Sequence, residues 1–269
     1  MTHYADDTHG ASLEKHLRSN GVSVIKGGSA PTSTATATLV ADGAAMYVFD
    51  ISWDLEDAWT TAAGAVRSAG HVHTGSIASV LAPGHESTLS LVRAARESST
   101  ISYDPNCRPA ISPDVAMARA RVEQFVAASD IVKASDEDLL WLYPDKTALE
   151  ALEAWLDLGP AVVALTRGAA GPVIFTRQVR VEMPAVRVVV ADTVGAGDSF
   201  MAGLISGLAQ LGALGAGSRQ KLNTLSKDEL SIVAAYANRA AAITCSRTGA
   251  NPPATIELGP LRTLGRATR

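Results

Sequence analysis

From about Thr61 onward the chain alternates short apolar runs with longer helical patterns, and this alternation restricts its fold more than any other feature. Leu89 to Glu97 has a helical pattern, Thr100-Ile101-Ser102-Tyr103 a strand pattern, Val115 to Ala128 a helical one again, and Ile131-Val132 a short apolar run. Such a series implies parallel β-α-β units, in whose sheets ligands gather at the carboxyl ends of the strands. No internal repeat or low-complexity linker marks a second domain. Leu211 to Lys227, rich in Gly, Ser, Lys and Asn, reads as a surface loop.

A chain of 269 residues that is 47% apolar can bury one large core, although length alone would also allow two domains. A net charge of −4 with no basic run gives no electrostatic footprint for nucleic acid. Cys107 and Cys245 are too few for a disulfide framework and suit a reducing compartment. No apolar stretch approaches a membrane span, and Met1 to Asp7 lacks the basic and apolar regions of a signal peptide. The simplest expectation is a soluble cytoplasmic protein.

Near the start, Gly10 to Asn20 reads as a helix with Leu13 and Leu17 on one face and Gly21 as its stop. Thr32 to Val40 is rich in β-branched residues, Asp42-Gly43 is a hairpin turn signal, and Met46 to Ile51 supplies a return strand. The hairpin, residues 32–53, reads as a lid or as an ordinary edge hairpin of the main sheet.

Val188-Val189-Val190-Ala191-Asp192-Thr193-Val194-Gly195-Ala196-Gly197-Asp198-Ser199-Phe200 reads as an apolar strand, a glycine-rich turn and the start of a helix. A helix N-terminus offers unpaired N–H groups and partial positive charge to an anion, and glycines let the backbone approach it. A carboxylate there is the wrong group to hold a phosphate and the right one to remove a proton, so Asp198 suggests a base. A plain helix cap by Asp198 or Thr193 is the structural alternative, which does not explain two glycines two residues apart.

Asp192 to Phe200 resembles the Asp-Thr-x-Gly-Ala-Gly-Asp-x-Phe signature of the ribokinase (pfkB-type) family of carbohydrate kinases. Three further segments agree with it in order. Asp104-Pro105-Asn106-Cys107-Arg108-Pro109 resembles a turn of fructokinase-like and 2-keto-3-deoxygluconate kinase-like members, Lys133 to Asp138 resembles the acidic stretch that follows, and Leu165 to Gly171 matches the Thr-x-Gly-x-x-Gly nucleotide turn. The resemblance implies one α/β domain over residues 1–269, a three-layer ribokinase-like sandwich with a mainly parallel sheet and a small β lid. It also implies a homodimer formed through that lid.

By the same resemblance, Asp198 is the general base, and Gly195, Ala196 and Gly197 form the anion hole. Ser135, Thr166, Gly168, Gly171, Asn238 and Gly249 bind ATP, while Asp104, Asn106 and Arg108 serve the substrate or its phosphate. Family members usually carry Asn-x-x-Glu to organise Mg²⁺ through water; here Ser135 and Asp138 stand at those places, with Glu137 as the fallback. Asp192 belongs to a loop that holds a monovalent cation, K⁺, in some members.

Each residue also has a plainer reading. Arg108 could stabilise its turn by pairing with Asp, Asp136 to Asp138 could be a solvated first helical turn, and Asn238 a buried amide satisfied by its neighbours. His71 and His73 share one strand face with no third ligand adjacent, which assigns them to packing or to a sugar pocket beside Thr74-Gly75-Ser76. No Walker pattern occurs.

The expected reaction is phosphorylation of a fructose-like sugar by ATP, with 2-keto-3-deoxygluconate as the alternative acceptor. Family members open on an apolar strand carrying a sugar-binding Asp. Here Met1 is followed almost at once by residues resembling the later Asp-x-x-Gly helix. The expectation is a kinase-type site that binds sugar poorly without that opening unit, the non-enzyme alternative being a catalytically silent nucleotide-binding protein.

Overall fold

The computed structural model describes residues 1–39, 45–55 and 58–261. Its first helix, α1 (Thr8–Ser19), starts where Asp7 accepts a hydrogen bond from Gly10 N, and the same carboxylate accepts from Thr32 N and Thr32 Oγ1. That clasp fastens the helix start to the chain entering β1 (Thr34–Leu39), which pairs antiparallel with β2 (Ala45–Asp50). The two form a sheet of their own, separate from the main one, so the hairpin is not an edge of the main sheet. Asp42-Gly43 lies outside the described residues. Leu13 of α1 is exposed and Leu17 half-buried; the buried residue of this helix is Gly10.

After α2 (Trp59–Ser68) the alternation expected from sequence appears as β3 (His71–Gly75), α3 (Gly84–Ala95), β4 (Thr100–Asp104), α4 (Val115–Ala127) and β5 (Ile131–Ser135). Next come α5 (Asp136–Leu142), α6 (Ala148–Leu158), β6 (Val162–Thr166), β7 (Val173–Phe175) and β8 (Arg180–Glu182). The strands lie in the order β3-β4-β5-β6-β7-β8; the first four are parallel and the last two antiparallel. The third layer is α7 (Ala196–Gln210), α8 (Arg219–Asn223), α9 (Lys227–Cys245) and α10 (Thr255–Leu258).

Because successive strand residues face opposite sides, the central strands serve two cores. Val163 and Leu165 pack with Val122, Phe125, Leu152 and Trp155 on one face; Val162 and Ala164 pack with Phe200, Leu204, Val233 and Tyr236 on the other. The outcome is a three-layer α/β sandwich with β4, β5 and β6 buried between helices.

Two sequence expectations are corrected. Val188-Val189-Val190 is not a strand: the segment runs outside the sheet, held at Ala191 N and Asp192 N by Cys245 O, and Val189 is 90% exposed. An apolar β-branched run makes a strand only where a neighbour pairs with it. Leu211 to Lys227 is not a plain surface loop either, since it contains α8 and buries Ala213, Leu222 and Leu225 in the second core. Arg219 anchors it by donating from Nε to Asp130 Oδ1 at 2.9 Å.

Candidate active site

The carboxyl ends of β4, β5 and β6 and the start of α7 surround a cavity of about 620 Å³. This is where the parallel segment of an α/β sheet presents its loops.

From β4, Asp104 is buried and its Oδ2 accepts a hydrogen bond from Lys133 Nζ at 2.6 Å, while Oδ1 accepts from Asn106 N at 3.2 Å. Burial raises the Asp104 carboxyl to about 6; Lys133 opposes this rise, and the nearby Asp138 and Asp198 add to it. Asn106 takes a left-handed φ of 38°. Arg108 Nη1 donates to Asn106 Oδ1 at 2.7 Å, to Asn106 O at 3.1 Å and to Cys107 O at 2.9 Å. The arginine therefore braces its own turn through Asn106, not through an Asp, and its exposed guanidinium borders the cavity.

At the end of β5, Ser135 caps α5 in a reciprocal box: Ser135 Oγ accepts from Asp138 N, and Asp138 Oδ2 accepts from Ser135 N at 2.9 Å and Ser135 Oγ at 2.7 Å. Asp138 Oδ1 accepts from Cys107 N at 2.7 Å, which ties the β4 loop to the β5 loop. Asp138 is thus buried with both oxygens engaged, whereas Glu137 stands exposed on the cavity wall. Among the described residues no group of three or more His, Cys, Asp or Glu is arranged to hold a metal ion. These carboxylates fit an ion held through water and phosphate oxygens rather than in a protein cage.

Thr166 at the end of β6 and Gly168 after it reach the cavity, and so do Thr193, Gly195, Gly197 and Asp198. Gly195 has φ +76° and no side chain caps α7, so the expected alternative of an Asp or Thr cap is not what forms. Ala196 N is engaged by Thr193 O, leaving the N–H groups of Gly197 and Asp198 without an acceptor among the described residues. The Asp198 carboxylate is exposed and accepts no hydrogen bond from a described residue.

The remaining expected residues do not line this cavity. Gly171 packs against Met183 O, the buried Asn238 donates from Nδ2 to Pro184 O at 2.9 Å, and Gly249 N donates to Asp192 Oδ2 at 3.0 Å. Asp192 Oδ1 also accepts from Val194 N, and these backbone donors hold its carboxyl below the usual range. His71 Nε2 and His73 Nδ1 both lie 2.8 Å from Ser102 Oγ; burial lowers His71 to about 4 and lowers His73 as well.

Sequence reasoning did not assign Lys133, although a lysine inside the apolar run of β5 carries a usable signal: buried charge requires a partner. The partner is the Asp that ends the neighbouring strand.

With this fold and site in view, the chain belongs to the pfkB family of carbohydrate kinases, whose model matches residues 4–257. A fructokinase of Rhizobium leguminosarum bv. trifolii is 36% identical over 213 residues, 77% of this chain and 65% of that protein, so the match spans about two thirds of the relative's length. Among solved structures, fructokinase from Xylella fastidiosa with bound ATP aligns with a TM-score of 0.81 at 23% identity, covering 93% of this chain and 79% of that one. A fructokinase double mutant from Vibrio cholerae O395 in fructose, ADP and potassium ion bound form aligns with a TM-score of 0.75 at 22% identity, covering 97% and 80%. These likenesses establish a ribokinase-like α/β fold.

Proposed function

We propose that the chain transfers the γ-phosphoryl group of ATP to a hydroxyl of a fructose-like sugar. The observation that carries this reading is Asp198, an exposed carboxylate free of hydrogen bonds in the first turn of an uncapped helix at the cavity. Asp198 removes the acceptor hydroxyl's proton as that oxygen bonds to the γ-phosphorus; the bond from phosphorus to the β,γ-bridging oxygen breaks, and ADP leaves. The turn at Gly195, Ala196 and Gly197 offers the free N–H groups of Gly197 and Asp198 to the transferring charge, the Ala196 N–H being engaged by Thr193 O, so catalysis is mainly positioning and electrostatics.

Ser135, Thr166 and Gly168 border the nucleotide side, with Gly171, Asn238 and Gly249 contributing to the nucleotide site outside this cavity. Asn106 and Arg108 lie on the acceptor side, with Asp104 buried beneath them against Lys133. Mg²⁺ would neutralise phosphate charge, held through water by Glu137 and Asp138, and K⁺ would sit by the Asp192 loop. The β1–β2 hairpin would close over the sugar and serve as the contact for a second copy. This Rhizobium-type fructokinase similarity favours fructose, while the exposed guanidinium of Arg108 suits an acid sugar such as 2-keto-3-deoxygluconate. Turnover of the two sugars measured side by side with ATP tests the reading: fructose should be preferred. Preference for the keto-acid sugar would replace the acceptor, and turnover of neither would overturn the reading.

A further inference from the structure

Lys133 is 3% exposed in the interior of β5, yet its ammonium reaches the site. Its Nζ lies 2.6 Å from Asp104 Oδ2 and would stand 3.1 Å from a Cβ placed on Gly197, which sets the charge directly against the first turn of α7. Lys133 forms part of the cavity wall, whereas Asp104 does not. The pair is therefore an oriented dipole, with its positive end toward the turn and its carboxylate behind.

Resting on the phosphoryl-transfer reading above, we propose that Lys133 is a positioning residue of the anion hole. It adds a fixed positive charge behind the free N–H groups of Gly197 and Asp198 and acts through that turn on the terminal phosphoryl group. The other role open to it is purely structural, joining β4 to β5.

Three variants separate the two. Asp104→Asn keeps the lysine; Lys133→Met with Asp104→Asn replaces the pair by neutral side chains of similar volume, an exchange that folded cores tolerate; Lys133→Arg keeps the charge. The readouts are affinities for ADP and for an ATP analogue with an imido β,γ bridge, and kcat and KM for fructose. Relative to Asp104→Asn, the double variant should bind the analogue at least about tenfold more weakly, change ADP affinity by less than about twofold, and lose about 10²-fold in kcat at steady KM. Lys133→Arg should keep the wild-type preference for the analogue over ADP. A double variant that keeps the preference and kcat of Asp104→Asn overturns this inference alone. A wild-type chain that binds neither nucleotide overturns the kinase reading and this inference with it.

Discussion

Asp198→Asn leaves every described hydrogen bond in place, because its carboxylate accepts none. It should keep the thermal midpoint and nucleotide affinity while lowering turnover by about two to four orders of magnitude, the usual worth of a general base; steady-state kinetics beside a melting curve checks this. Gly195→Val differs in kind, since φ +76° disfavours a β-branched side chain and its Cβ would meet Ala250 Cβ at 3.0 Å. That variant should lose both ATP affinity and stability, measured by calorimetric titration and melting. The nine residues from Asp192 to Phe200 made the glycine turn, the helix start and the exposed carboxylate in its first turn legible because all three are local. Lys133 was not legible in the same way. Its meaning depends on Asp104, 29 residues earlier on a neighbouring strand, and only register brings the two together.

Elements were legible where one periodicity held for several turns or alternated with another. The β4-α4-β5 series appears as expected, and so does the β1–β2 pairing. The run at Val188 failed because strand formation needs a partner edge that no window of sequence reveals. Helix α9 shows what end chemistry contributes: Ser226 and Glu229 form a reciprocal cap, and Lys221 donates to the Glu229 carboxylate. The Lys221 hydrogen bond, followed by that from Ser226 N, lowers Glu229 from 4.5 to about 2. A carboxyl depressed on folding contributes stability that is present above its unfolded value and lost as pH falls through the folded one. Part of the acid destabilisation between pH 4.5 and about 2 should therefore vanish in Glu229→Gln, seen as a shallower fall of melting temperature with pH. A second test lies at the α7–α9 contact, where a Cβ on Gly203 would be 2.8 Å from Ala237 Cα. Gly203→Val should cost about 1–3 kcal/mol by forcing the helices apart, read from denaturant midpoints at constant slope.

For the whole molecule, the alternation after Thr61 was enough to place the cavity, because a parallel sheet delivers each strand's following loop to the same end. Asp104, Ser135 and Thr166 each end a strand, and Asp198 faces the cavity with Ser135 and Thr166 from the third layer's α7. What remained hidden was which of the expected residues face the cavity. Gly171 matches a motif by spacing, and Asn238 and Gly249 stand on the helix and loop that the resemblance singles out, yet none of the three lines this cavity, which residue order alone does not reveal. The central claim is that these convergent loops perform phosphoryl transfer with Asp198 as the base. The most direct measurement is ADP release and sugar phosphate formation by the purified chain supplied with ATP, Mg²⁺ and fructose, run beside Asp198→Asn. The account predicts one sugar phosphate per ADP in the wild type and a rate lower by at least about 10²-fold in the variant; equal rates in the two proteins, or ADP release without a phosphorylated sugar, would contradict it.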